Sequence, residues 1–302
     1  MATMALDPVT ANEAAQAYDA VGETYLRYAD GDLRALFEFS SRYSFADREI
    51  WRRIDAKLVA IRSSGRTSIR ILDAGCGPGT WLKRCALRAR ALGFLEIDGL
   101  GFDISPAMID LAAKELAQAN DPAVNLEVIV ADIAEASLPK GHIDIVLCLY
   151  GVLNHLPVAQ HQAVAARLAG AGDTLFVTVR TVGSLPSIFV AGIEQARNFR
   201  QDNVEDRLEI DLLDGRHLEF PSHLFTADEF AALFAAHGHI EERAGLDLFH
   251  GRFAPDHRWN PKDMADTAFH AGLERLEHLC ASDPCFIDRA AHVLLQVGRR
   301  AE

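Results

Sequence analysis

An α/β architecture built on a doubly wound, mostly parallel sheet follows from three features of the 302-residue sequence. From Ser68 onward, short apolar runs alternate with helical stretches, the pattern of crossover connections between parallel strands. A glycine-rich turn joins the first of these runs to a helix, as at the ligand-binding edge of such sheets. The composition is 49% hydrophobic and 24% charged, that of an ordinary globular chain with material for a continuous core.

Taken in order, residues 12–28 carry Tyr18, Val21 and Tyr25 at three- and four-residue spacing, which puts one partly aromatic stripe on a helix. Two readings of that helix stand side by side: a lid that closes a site, or a helix that covers the core. Residues 46–62 predict a second helix with Ile50, Ile54, Leu58 and Ile61 inward. Strands are then expected at 69–72, 99–102, 126–130, 143–149 and 174–179, with helices at 80–92, 105–119 and 157–169 between them. Residues 182–222 are charged and weakly patterned, and Thr226 caps a helix that Gly238 ends. Strands are expected again at 239–249 and 291–298, separated by a helical insertion at 262–281. The chain therefore divides into a helical N-terminal cap (1–67), a sheet core (68–181), and a C-terminal part (182–302) that completes the sheet and carries insertions for substrate.

Charge narrows the partners. The formal net charge of −13 repels phosphate backbones and anionic lipid, so neither nucleic acid nor a membrane is expected as a partner. No apolar run approaches the roughly 20 residues of a membrane helix, and the first residues lack the basic and apolar regions of a secretion signal. The five cysteines include no C-x-x-C pair, which fits a reducing cytoplasm and no structural zinc.

The chemistry is concentrated in "ILDAGCGPGTW" at 71–81, where glycines at 75, 77 and 79 follow a strand and precede a helix. Glycines there permit a tight turn and close approach of a ligand to the backbone, and the helix start offers free N–H groups. A dinucleotide fingerprint would put a third glycine where Thr80 stands, and a phosphate loop would need a Gly-Lys pair that is absent. What remains, D-x-G-x-G-x-G after a strand, resembles the first motif of the class I methyltransferases that use S-adenosylmethionine (SAM). The resemblance covers about 69–181 and continues with Asp103 ending the second strand, Asp132 with Ile133 after the third, and "LCLYGVLNHL" after the fourth.

The resemblance implies a Rossmann-like methyltransferase fold and SAM as cofactor, held by Asp73, Gly75, Cys76, Gly77, Gly79, Asp103, Ile104, Met108, Asp132, Ile133 and Leu149. It implies methyl transfer to a small-molecule substrate by in-line displacement, in which proximity does most of the work. Asp103 and Asp132 are also read singly as helix-capping residues. His155 and Tyr150, at the mouth of the fourth strand, are the candidate catalytic residues. His155 has the pKa range of a general base, and its alternative reading is a backbone hydrogen bond at a helix start. Tyr18, Tyr25, Asn154 and Arg180 are the candidate substrate contacts. Arg180, at the end of the fifth strand, requires a partner, either a substrate anion or an acid from 205–214. No carboxylate follows the fourth strand, so no metal is expected. A SAM-binding sensor without transferase activity uses the same motifs and is the competing function.

Overall fold

The computed structural model describes residues 13–19, 36–39, 44–119, 121–139, 141–184, 196–253, 256–261 and 267–300. Val21 and Tyr25 of the expected N-terminal stripe lie outside the described residues; Tyr18 falls in a helix over 13–19. Helix α1 (Ser44–Ser63) is formed where the periodicity put it, with Ile50, Ile54 and Leu58 buried.

The core alternates as expected: β1 (Ser68–Ala74), α2 (Thr80–Ala91), β2 (Glu96–Asp103), α3 (Pro106–Leu116), β3 (Val124–Val130), β4 (Ile145–Cys148), α4 (Val158–Ala171) and β5 (Thr174–Arg180). Beyond it come β6 (Ala196–Asp202), β7 (Arg207–Leu212), β8 (His217–Pro221), α5 (Ala227–Ala235), β9 (Gly238–Leu246), α6 (His250–Phe253), α7 (Thr267–Cys280) and β10 (His292–Arg299). Seven strands make one sheet in the order β3-β2-β1-β4-β5-β10-β9. The pairs from β3 to β5 are parallel, and β10 runs antiparallel to both neighbours. The strand order reverses beside β1, so a crevice opens between the carboxyl ends of β1 and β4.

Alternation along the strands divides the core between the two faces of the sheet. Leu72, Val146, Val177 and Leu295 pack with α4 and α5. Ile71, Ile145, Leu147, Phe176 and Leu294 pack with α1 and α2. No described helix is long and apolar enough to cross a membrane.

The region expected to be weakly patterned differs from that reading. Strands β6, β7 and β8 form a separate antiparallel sheet. Its inner face is Leu208, Ile210, Leu212 and Phe220, closed by Ala17 of the 13–19 helix. One face of a thin sheet needs few apolar residues, which is why its composition reads as charged. Two local signals were present: the period-two burial of "RLEIDL" and the Asp214-Gly215 pair, whose glycine takes φ 91° in the β7–β8 hairpin.

Candidate active site

The glycine loop is shaped by its own backbone. Gly75, Gly77 and Gly79 have φ of 75°, 52° and 78°, the left-handed region that favours glycine. The N–H groups of Gly75 and Cys76 donate to the Phe102 carbonyl at 2.8 and 2.9 Å, which ties the loop to the end of β2. Asp103 closes the arrangement: its carboxylate accepts from the Gly77 N–H at 2.9 Å and from the Ser105 N–H at 3.0 Å. Burial raises its pKa above the ordinary carboxyl value. Asp73, 2% exposed, is pushed up to about 7 by burial and by the charge of Asp103. Its Oδ2 atom is buried with no hydrogen-bond partner among the described residues.

A cleft of about 870 Å³ opens on this loop. Of the expected residues, Tyr18, Gly75, Gly77, Asp103, Ile104, Met108, Asp132, Ile133, Leu149, Tyr150 and His155 line it. Asp73, Cys76, Gly79, Asn154 and Arg180 are not among its lining residues. Asp132 lines the cleft, and its Oδ1 accepts from the Ala134 N–H at 2.8 Å in a turn, where no helix starts for it to cap. Phe102, Val152, Gln160 and Ala14 are among the further wall residues that were not singled out. Ala14 was legible, because it sits one turn before Tyr18 on the same helical stripe.

The 13–19 helix crosses this cleft and is anchored on both sides. Asp19 Oδ1 accepts from the Ser105 hydroxyl at 2.5 Å and the Ala107 N–H at 3.3 Å, at the start of α3. Glu13 pairs with Arg207 of β7 at 3.1 Å, and the Tyr18 ring meets the edge of His155 at 5.7 Å.

Three expected residues have other surroundings than supposed. Asn154 is wholly buried: its amide donates to the carbonyls of Arg180 at 3.0 Å and His223 at 2.5 Å, and its oxygen accepts from the Arg180 N–H at 2.9 Å. It stitches the end of β5 to the chain after β8 instead of facing a substrate. The Tyr150 hydroxyl donates to Asp47 of α1, so Tyr150 offers the cleft its ring wall instead of an unengaged hydroxyl. Arg180 is 7% exposed, and four acids of the 205–214 stretch have partners of their own: Asp206 with His223, Glu209 with Arg200, Asp211 with His217 and Asp214 with Arg216.

His155 is the titratable group that the cleft isolates. Burial, followed by the charge of Arg180, lowers its pKa to about 4, so it is neutral at pH 7. Its Nδ1 lies 3.1 Å from the Pro221 carbonyl. A carbonyl only accepts, which puts the proton on Nδ1 and leaves Nε2 as the acceptor. A second cluster, His142, Asp144 and Asp173, with ligand atoms within 4.8 Å of one another, stands at the opposite edge of the sheet, where Arg66 pairs with Asp144 at 3.0 Å.

Residues 71–171 match the family model described as a methyltransferase domain. No curated protein matches the chain in sequence. Several solved structures share its fold. Magnesium protoporphyrin IX methyltransferase from Synechocystis PCC 6803 with bound SAM has a TM-score of 0.54 at 14% identity, covering 99% of this chain and 100% of that one. A SAM-dependent methyltransferase from Clostridium acetobutylicum ATCC 824 has a TM-score of 0.53 at 8% identity, covering 92% and 99%. The cyclase SpnF has 0.52 at 15% identity, covering 97% and 98%.

Proposed function

The chain carries a methyltransferase domain over residues 71–171 in a class I methyltransferase fold, and from that premise we propose that it binds SAM in the glycine-loop cleft and transfers its methyl group to a small molecule. The observation that carries the reading is the pairing of an open space over Gly77, where an added Cβ would meet nothing within 4 Å, with two carboxyls beside it. Asp103 is held by backbone N–H groups of Gly77 and Ser105 with its carboxylate lining the cleft, which suits ribose hydroxyls as donors to its remaining lone pairs. The orphaned Oδ2 of Asp73 suits the ammonium of the methionine part. Asp132 and Ile133 are left for the adenine, with Met108 and Leu149 as apolar walls.

When bound, SAM supplies a methyl group on a sulfonium, open to in-line attack. The chain supplies position and dryness. Neutral His155, with Nε2 as acceptor, orients an acceptor hydroxyl or amine and takes its proton as the new bond forms. Tyr18 and the 13–19 helix exclude water. The shared chemistry lies in 68–181, whereas 1–67 and 182–302 cap it and select the acceptor. The chain's −13 charge argues against nucleic acid as the acceptor, and its five free cysteines fit the cytoplasm.

The test incubates the protein with isotopically labelled SAM and metabolite pools and looks by mass for labelled products that have gained one methyl group. Labelled product supports the reading. Tight SAM binding with no product from any pool would identify a sensor or partner protein instead.

A further inference from the structure

A residue outside the matched methyltransferase region reaches the cleft wall. Tyr150 follows β4 with φ 60°, a strained conformation for a bulky side chain. Four contacts hold it there. Its N–H donates to the Thr178 hydroxyl at 2.6 Å. Its ring lies against Trp81 at 6.2 Å and meets the edge of His292 at 5.4 Å. Its hydroxyl donates to Asp47, in the first turn of α1 and only 4% exposed.

On the reading that the cleft binds SAM, we infer that Asp47 is a positioning residue: it fixes the angle of the Tyr150 ring and thereby the wall of the cleft beside Leu149 and Val152. The reasoning is geometric. A left-handed residue at a strand end is retained when its surroundings over-determine it. The two ring neighbours restrict tilt, and the hydroxyl bond to Asp47 restrains the ring at its far end. A carboxylate in the first turn of a helix faces unpaired backbone N–H groups, so α1 offers a fixed anionic acceptor there. Asp247, near enough to feel the charges of Glu277 and Asp47, is raised well above the ordinary carboxyl value, and burial is the largest cause. Asp47 and Tyr150 are 103 positions apart in sequence, so the contact couples the N-terminal helix to the strand end.

The experiment measures SAM and S-adenosylhomocysteine binding by calorimetry for the full chain and for Asp47→Ala, Asp47→Asn, Tyr150→Phe and the Asp47→Ala/Tyr150→Phe double variant. Asp47→Ala and Tyr150→Phe are each expected to weaken binding about tenfold, and the double variant no further. Asp47→Asn keeps an oxygen acceptor and should restore affinity to within about threefold of the parent. Unchanged affinity in Tyr150→Phe, losses that multiply in the double variant, or no rescue by asparagine would overturn the inference. If Asp47→Ala does not fold, Tyr150→Phe and Asp47→Asn decide alone, since each changes one polar atom. A parent protein that binds neither ligand overturns the SAM reading and the inference together. A parent that binds, with an indifferent Tyr150→Phe, overturns the inference alone.

Discussion

Replacing Gly77 and Gly75 by alanine, one at a time, separates damage to the protein from damage to ligand binding. Gly77 has φ 52° and open space around an added Cβ, so its stability cost is that of a left-handed L-residue alone, about 1–2 kcal/mol. At about 2–4 °C per kcal/mol for chains of 150–250 residues, the melting temperature should fall by roughly 2–8 °C. The added methyl group stands in the cleft, however, where the cofactor would approach the loop. Binding of S-adenosylhomocysteine by calorimetry should weaken at least tenfold. Gly75 has φ 75°, and its added Cβ would sit 2.4 Å from Val152 Cγ2. Overpacking adds about 1–3 kcal/mol to the backbone cost, giving about 2–5 kcal/mol in total. Gly75→Ala should therefore be the less stable of the two. Parent-like affinity in Gly77→Ala would refute the assignment of that space to a ligand, and equal stability of the two variants would refute the packing argument.

Three further outcomes follow from the geometry. His155 has a folded-state pKa of about 4, below the ordinary 6.5, so its contribution to stability is complete above pH 6.5 and is lost as pH falls from there toward 4. His155→Gln should flatten that part of a urea-denaturation pH series, leaving the share of His250, also lowered to about 4; an equally steep decline would discharge His155. Asn154→Ala strands the Arg180 N–H and the His223 carbonyl, the Arg180 carbonyl keeping the Phe225 N–H, and at about 1–3 kcal/mol per unsatisfied group should cost about 2–6 kcal/mol in urea unfolding, while folded protein binds S-adenosylhomocysteine as before. Lost binding at unchanged stability would return Asn154 to the cleft. Asp19→Ala frees one end of the 13–19 helix from α3 and should speed S-adenosylhomocysteine dissociation several-fold in stopped-flow fluorescence; an unchanged rate would make that helix a static cover.

The parallel sheet was readable in the sequence because strands buried on both faces are continuous apolar runs, as in "IVLC" and "TLFVTV". The cleft was readable for a related reason. Its residues belong to strand ends, and glycines with Asp103 and Asp132 mark those ends by type. Asn154 shows where the reading stops: a polar residue after a strand serves a ligand or a scaffold, and which it serves depends on the carbonyl of His223, 69 residues away in sequence. Asp47 reads locally as an ordinary acid in a first helical turn, and only tertiary packing brings it to Tyr150. The β6–β8 sheet was missed because its alternation is short and its outer face is charged, although its Asp-Gly turn was in plain view.

Where that small sheet joins the core has a consequence for how the chain can vary. The Thr181–Phe225 bridge holds the outgoing and returning strands side by side, with the Phe225 N–H on the Arg180 carbonyl and the Val182 N–H on the Phe225 carbonyl, both at 3.1 Å. The β6–β8 strands are thus entered and left beside one bridge, like a cassette clipped into a socket. The entropy of closing such a loop grows only slowly with its length. Lengthening, shortening or exchanging the cassette therefore leaves the register of the seven strands untouched. The small sheet is thereby the part of the chain that can be altered while the glycine turn and its carboxylates stay as they are.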